Sequence, residues 1–248
     1  MGSFFWDERK VEWYDRALEE SDYSKKILNI IIPLIQECKT IIDIGAGCGP
    51  LSIPLAELGY QVTALEPSPS MINKIRQKAE KKKLSNMKFL EAKFGEIDAG
   101  KHDAAIVANV RKLFVELDDF LKNLESVSPK ITILIVGADT KNNKFFFSEL
   151  YPILFNKEYP KKENHLAVFE KLTAKGLNPQ SCIIDLNIDQ PFYDIDEAVE
   201  FWKAYLNINN SKYDNILKNF LTEKLIKRDK WLIAEVKKRS AVIWWTSK

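Results

Sequence analysis

The residues with the clearest chemical potential form one short stretch in which an acid precedes three glycines, Asp43-Ile44-Gly45-Ala46-Gly47-Cys48-Gly49. A glycine-rich turn between a strand and a helix lets the backbone approach a ligand closely, and the helix N-terminus offers unpaired N–H groups. Glu66 follows at the predicted end of the next strand. A carboxylate at that position can accept hydrogen bonds from both hydroxyls of a ribose. The stretch therefore predicts a cofactor that carries a nucleoside.

The spacing of the glycines distinguishes two classes of such cofactors. In the dinucleotide fingerprint G-x-G-x-x-G, counted from Gly45 and Gly47, the third glycine would fall on Pro50. This chain instead has D-x-G-x-G-x-G, which resembles motif I of the class I (Rossmann-like) S-adenosylmethionine-dependent methyltransferases. The motif match covers residues 39–110, with weaker agreement in topology toward the C-terminus. A nicotinamide-dependent dehydrogenase is correspondingly disfavoured.

The resemblance implies that the cofactor is S-adenosyl-L-methionine. It also implies that Asp43 and the glycine turn hold the methionine and ribose side of this cofactor, and that Glu66 binds the ribose. The predicted cofactor-binding residues are Asp43, Gly45, Ala46, Gly47, Gly49, Glu66, Pro67, Phe94 and Asn109.

The adenine side departs from the family pattern. The family often places an acid just after the third strand, and this chain has Lys93 there. Glu91 or Glu96 could substitute for that acid, or backbone groups near Phe94 could read the adenine while its ring packs on the base. The alternative for Phe94 is ordinary packing in the core.

The sequence assigns no definite catalytic residue. Transfer of an activated methyl group needs mainly orientation and exclusion of water, and it needs a general base only if the acceptor must lose a proton. We expect the acceptor over the ends of strands four and five, where Asn109 and Arg111 are candidates; Arg111 is alternatively a solvated residue that opens a helix. His165 is a candidate base or a structural residue, and the remaining candidates for acceptor contact, Trp13 and Tyr14, alternatively pack their helix on the sheet.

Composition and absent motifs exclude several other functions. The net charge of +2, from 37 basic and 35 acidic residues, provides no global field that would attract a nucleic acid. No Asn-Pro-Pro-Tyr motif and no cysteine follow the predicted fourth strand, which disfavours methylation of adenine or glutamine amino groups and of cytosine C5.

Cysteine usage and hydropathy predict where the protein works. The cysteines, Cys38, Cys48 and Cys182, do not cluster with one another or with the two histidines. We therefore expect no metal site, no disulfide framework and a reduced, cytoplasmic environment. The longest apolar run, residues 27–35, is too short to span a bilayer, and the first residues do not resemble a secretory signal.

The elements that must position these residues alternate between strand and helix. Near-continuously apolar strands at residues 40–43, 61–65, 87–90, 104–108 and 131–136, with helices between them, are typical of a parallel sheet covered on both faces. The predicted fold is α/β, a doubly wound and mostly parallel sheet. By the family pattern this sheet has seven strands, the last antiparallel and inserted beside the fifth, with residues 241–245 as its candidate.

The domain prediction is one methyltransferase domain over residues 1–248. It consists of an N-terminal helical cap (1–38), a cofactor-binding half (39–136) and a C-terminal half (137–248) with a helical insert at about 190–230. Pro50 is predicted at the first position of a helix, and residues 231–236 and 241–245 are predicted as a possible hairpin.

The sequence thus predicts methyl transfer from S-adenosylmethionine to a small-molecule or metabolite acceptor. A protein or RNA acceptor is the alternative within the enzyme class. A non-catalytic scaffold that kept the cofactor site is the alternative outside it. The oligomeric state is open.

Overall fold

The computed structural model describes residues 5–110, 116–127, 129–138, 144–160 and 165–247. The first half contains α1 (Glu8–Glu19), α2 (Tyr23–Leu34), β1 (Thr40–Ile44), α3 (Ser52–Glu57), β2 (Gln61–Leu65), α4 (Pro69–Lys81), β3 (Met87–Leu90), β4 (Ala104–Ala108), α5 (Leu117–Val127) and β5 (Ile131–Gly137). The second half contains α6 (Phe147–Phe155), α7 (His165–Ala174), β6 (Gln180–Asn187), β7 (Gln190–Phe192), α8 (Ile195–Leu206), α9 (Asp214–Lys224), β8 (Ile226–Arg228), β9 (Trp231–Ala234) and β10 (Lys237–Thr246).

The main sheet has seven strands in the order β3-β2-β1-β4-β5-β10-β6. The first five of these strands pair in parallel, whereas β10 runs antiparallel to both β5 and β6. The predicted fold is confirmed, including the antiparallel last strand inserted beside the fifth.

Successive residues of the strands pack into two separate cores, one on each face of the sheet, because successive side chains of a strand point to opposite faces. Ile41 and Ile133 join a cluster with residues of α1, α2 and α3. Ile42 and Leu134 join a second cluster with residues of α5 and α7. Helices on both faces bury the sheet and leave its carboxyl edge as the place where the loops meet.

The C-terminal insert contains more than helices. The helices α8 and α9 lie in the predicted insert, and β7, β9 and β8 form a separate three-stranded antiparallel sheet. A third aromatic-rich core joins α6, α8 and α9 to Trp13 of α1.

Two local predictions were wrong. The possible hairpin does not form, because β9 pairs with β7 and β8 while residues 237–240, predicted as its turn, begin β10. Charged residues are tolerated in that strand because Lys237 and Arg239 are exposed there, and Arg239 pairs with Asp185 of β6. Pro50 is not the first residue of a helix, since α3 begins at Ser52.

Within the ranges that the structure describes, no helix combines the length and the apolar character needed to cross a bilayer.

Candidate functional site

The glycine turn begins where β1 ends and is tied to the end of β2. The N–H groups of Gly45 and Ala46 both donate to the carbonyl oxygen of Leu65, at 2.7 and 3.1 Å. Gly45 has a φ of +74°, and a Cβ at this position would lie 2.3 Å from Val110 Cγ2. Only glycine therefore allows the turn to approach the segment that follows β4.

Gly47 lies on the open side of the same turn. Its φ is +58°, and the nearest atom to a Cβ built there is Cε1 of Tyr14, at 3.9 Å. The N–H group of Gly47 donates to Glu66 Oε2 at 2.9 Å. The backbone of Gly47 therefore faces a space bounded by the Tyr14 ring and the Glu66 carboxylate, and a ligand can approach it closely there.

Glu66 directly follows β2 and is buried, yet both of its oxygens are held. Oε1 accepts from the N–H of Ser68 at 2.9 Å, and Oε2 accepts from Gly47. Burial raises the pKa of the Glu66 carboxyl, and the two N–H donors oppose that shift. Because a carboxylate oxygen has two lone pairs, each oxygen can still accept a further hydrogen bond.

Asp43 lies in β1 with a side chain that is only half satisfied. The residue is 2% exposed, and its Oδ2 accepts from the hydroxyl of Ser52 at 2.5 Å. Its Oδ1 is buried without a hydrogen-bond partner among the described residues. Burial raises the pKa of the Asp43 carboxyl to about 6. An unpaired buried oxygen is costly, so it marks a position where a ligand that donates hydrogen bonds fits.

Asn109 follows β4 at the same carboxyl edge, and its backbone adopts a φ of +60°. Its Nδ2 donates to the hydroxyl of Tyr23 at 3.2 Å, and its Oδ1 accepts from Lys238 Nζ at 2.7 Å. β1 pairs in parallel with β2 and with β4, so their ends bring Asp43, Glu66 and Asn109 to one edge. Arg111, the neighbouring candidate, lies outside the described residues.

The two aromatic candidates of α1 point in different directions. Tyr14 covers the glycine turn and packs against Trp6, with ring centroids 5.1 Å apart. Trp13 is 2% exposed, and its indole N–H donates to Glu197 of α8 at 3.0 Å. Packing between α1 and α8 accounts for Trp13, whereas Tyr14 stays a candidate for ligand contact.

The adenine side lies on the segment after β3. The Phe94 ring is half-buried, with its centroid 5.7 Å from that of Phe120 in α5, which is the packing alternative. Glu96 accepts a hydrogen bond from Lys93 Nζ at 3.0 Å, so its carboxylate is already paired with the lysine. Pro67 is half-buried between Glu66 and the start of α4. The roles of Phe94 and Pro67 toward a cofactor stay predictions.

His165 begins α7, the helix whose buried residues pack with those of α5 in one core. Its Nδ1 is buried without a hydrogen-bond partner in that part of the chain. Burial lowers the pKa of its imidazole. The structure therefore adds nothing that favours His165 as a base.

The polar contacts that three side chains make in the site were not predicted from the sequence, namely those of Tyr23, Ser52 and Lys238. Ser52 follows the glycine turn by three residues, and this proximity was a usable signal. Tyr23 and Lys238 lie far away in the chain, and Lys238 was assigned to a turn. Only the pairing of distant strands and helices brings them to Asn109.

All three cysteines are free thiols, and Cys38 and Cys48 are buried. Among the residues that the structure describes, no group of three or more histidine, cysteine, aspartate or glutamate side chains is arranged to hold a metal ion.

Comparison with known proteins places this site in context. A family model described as a methyltransferase domain matches residues 35–172. A ubiquinone biosynthesis O-methyltransferase of Methylocella silvestris is 39% identical over 85 residues, which cover 33% of this chain and 32% of the relative. A probable ribosomal RNA small subunit methyltransferase A of Methanosphaera stadtmanae is 35% identical over 81 residues, 32% of this chain and 30% of the relative. The chain thus spans about a third of these two curated relatives.

Two further similarities extend over most of the chain. An uncharacterized protein of Haemophilus influenzae is 23% identical over 246 residues, 97% of this chain and 88% of the relative. The solved structure of magnesium protoporphyrin IX methyltransferase from Synechocystis, with bound SAH, superposes with a TM-score of 0.55 at 17% identity, covering 91% of this chain and 83% of that one. At this identity the superposition concerns the fold.

Proposed function

Because the chain belongs to the class I S-adenosylmethionine-dependent methyltransferases, we propose that it transfers a methyl group from S-adenosylmethionine to a small-molecule acceptor. One observation carries the proposal. At the end of β1 and β2, the open oxygen of Asp43 and the carboxylate of Glu66 flank a glycine turn whose Gly47 faces the site.

The residues present fit this cofactor. The unpaired Oδ1 of Asp43 suits the ammonium group of the methionine end, which donates hydrogen bonds. The free lone pairs of Glu66 suit the two ribose hydroxyls. A side chain on Gly47 would point toward the Tyr14 ring, since a Cβ built there lies 3.9 Å from Cε1 of Tyr14. When bound, S-adenosylmethionine supplies a methyl group that is already activated on a sulfonium.

The chain's own contribution is to position the reactants and to exclude water. Asn109 is proposed to orient ligand groups at the end of β4, and Tyr14 covers the turn from the cap. Arg111 is kept as a candidate for contact with the acceptor, and His165 as a candidate base. Transfer in this scheme depends mainly on proximity and orientation, for which effective molarities of about 10⁵ M or more are known.

A small-molecule acceptor is supported by the cap. The side chain of Arg16 in α1 pairs with Glu197 of α8 at 3.0 Å, so the cap is joined to the insert, and Tyr14 of the same helix lies over the glycine turn. A cap that is held over the site in this way suits a compact acceptor. The relative named for ubiquinone biosynthesis agrees with this class, although the match covers a third of each chain.

An RNA acceptor is the second candidate, because one relative is named as a ribosomal RNA methyltransferase. For the location we propose the cytoplasm, and the three free thiols support a reducing compartment.

The experiment that tests the acceptor class uses methyl-labelled S-adenosylmethionine with three separate fractions: small metabolites, total RNA and protein. The proposal expects label in the metabolite fraction, and a Gly47→Asp variant serves as the blank. Label that appears in RNA or protein alone contradicts the small-molecule proposal. Binding without transfer to any fraction favours the scaffold alternative.

A further inference from the structure

A chain of hydrogen bonds with a fixed direction leads from Lys238 to Tyr23. An ammonium group has donors and no acceptor, so Lys238 Nζ must donate to Asn109 at 2.7 Å, and the atom it meets must be Oδ1. This contact fixes the orientation of the amide. Nδ2 of Asn109 then donates to the hydroxyl oxygen of Tyr23 at 3.2 Å. The Tyr23 hydroxyl is therefore used as an acceptor, and its own hydrogen must find a partner elsewhere.

Within the described part of the chain, that hydrogen has no protein acceptor. Tyr23 is 2% exposed, so bulk water does not serve it either. Burial raises the pKa of the Tyr23 hydroxyl, and the neighbouring Asp43 carboxylate raises it further. The hydroxyl consequently stays protonated at neutral pH and is available as a donor.

Asp43, which neighbours Tyr23, offers the opposite kind of hydrogen-bonding group. Among the residues that the structure describes, its Oδ1 is a buried acceptor without a donor, whereas the buried Tyr23 hydroxyl offers a hydrogen without an acceptor. The two groups do not hydrogen-bond to each other. A ligand that satisfies both must donate at one point and accept at another nearby, as the ammonium and carboxylate groups of an α-amino acid do.

We infer that Tyr23 binds the amino-acid end of the cofactor: its hydroxyl donates to the carboxylate, while Asp43 Oδ1 accepts from the ammonium. Asn109 is the positioning residue that directs the Tyr23 hydroxyl. The inference rests on the proposed function. Tyr23 belongs to α2, which precedes the family-matched residues 35–172, so the cap supplies part of the cofactor site.

The test compares two ligands that differ in this end only. S-adenosylhomocysteine carries the amino-acid group, and 5′-methylthioadenosine keeps the adenosine and the thioether without it. Calorimetric titration of wild type and Tyr23→Phe should show an affinity for S-adenosylhomocysteine that falls by about 10-fold or more, because a hydrogen bond to a charged group is lost. The affinity for methylthioadenosine should change by less than about twofold, since that ligand never makes the contact. Tyr60→Phe, at the opposite edge of the sheet, is the matched control and should change neither.

A second variant tests the positioning role. Glycine adopts the left-handed conformation of Asn109 without strain, so Asn109→Gly removes the amide and leaves the backbone in place. Introduced alone, Asn109→Gly should lower the affinity for S-adenosylhomocysteine. Added to Tyr23→Phe, it should lower that affinity no further. Additive losses overturn the positioning role.

The outcomes separate this inference from the proposed function. If wild type binds S-adenosylhomocysteine and Tyr23→Phe binds it equally well, the inference fails and the proposed function stands. Equal losses for both ligands also overturn it, because they indicate a general effect of the cap. If wild type binds neither ligand, the proposed function fails and the inference fails with it.

Discussion

At the scale of single residues, the two carboxylates of the site have different surroundings and hence different roles. Glu66 is held by two backbone N–H groups, one on each oxygen, so its orientation is fixed before any ligand arrives. Asp43 has one oxygen bound to Ser52 and one open oxygen. The first arrangement suits a pair of hydroxyls, and the second suits a single cationic donor.

Glu66→Ala should weaken the binding of S-adenosylmethionine by about 1–3 kcal/mol, because charge-assisted hydrogen bonds to the ribose are lost. Calorimetric titration measures the change. Glu57→Ala is the control, since Glu57 is an exposed acid of α3 paired with Lys82. An unchanged affinity in a folded Glu66→Ala protein contradicts the ribose assignment.

The pKa of Asp43, raised by burial to about 6, gives cofactor binding a pH dependence. An ammonium group favours the ionised carboxylate, so a proton must leave Asp43 before or during binding. The affinity for S-adenosylhomocysteine should therefore be level above about pH 6 and fall by up to about tenfold per pH unit below it. Titrations at several pH values test this, and Asp43→Asn should lose most of the dependence. A wild-type affinity that stays constant down to pH 5 rules out the contact.

At the scale of elements, α1 acts as a clamp across the carboxyl edge of the sheet. Asp15 of α1 is buried and pairs with Lys78 and Lys74 of α4. The next residue, Arg16, pairs with Glu197 of α8. The helix thus joins the cofactor-binding half to the insert, and Tyr14, the residue before Asp15, lies over the glycine turn.

Two glutamates of α8 that pair with arginines of α1 provide a matched test of this clamp. The side chains of Arg16 and Glu197 are 11% and 14% exposed, and Glu197 also accepts from Trp13. Glu197→Ala should lower the free energy of unfolding by about 2–4 kcal/mol, because buried donors lose their acceptor.

Glu200→Ala is the control for this prediction. The pair of Arg9 and Glu200 is 58% and 50% exposed, so its loss should cost less than about 1 kcal/mol. Urea denaturation measures both variants. Equal effects of the two substitutions contradict a buried clamp at Glu197.

The elements themselves were predictable where the sequence pattern is long. The continuous apolar strands and the glycine turn predicted the parallel sheet, because strands buried on both faces must be apolar throughout. The small sheet was missed, since β7 and β8 have three residues each, too few for a periodic pattern. Residues 237–240 were assigned to a turn because of their charges, whereas long-range pairing with β6 keeps them in β10.

At the scale of the whole molecule, the site is the meeting point of segments that are distant in sequence. Asp43 and the glycines were predictable because they form one local motif, and Glu66 follows one element later. The contacts of Tyr23 and Lys238 with Asn109 could not be predicted, since 86 and 129 residues separate these two residues from Asn109. Their contribution depends on the packing of α2 and the insertion of β10, which no local pattern records.

Calorimetric titration of the purified protein with S-adenosylmethionine and S-adenosylhomocysteine, with NAD as the control ligand, tests the central claim most directly. Gly47→Asp places bulk and negative charge on the open side of the turn. Gly59→Asp is the matched control, because Gly59 also has a positive φ and no heavy atom within 4 Å of a Cβ built there. The account predicts micromolar binding of the two methionine-derived ligands to wild type and to Gly59→Asp, with no binding to Gly47→Asp and none of NAD to any of the three. Binding of NAD alone, or an unchanged affinity in Gly47→Asp, contradicts it.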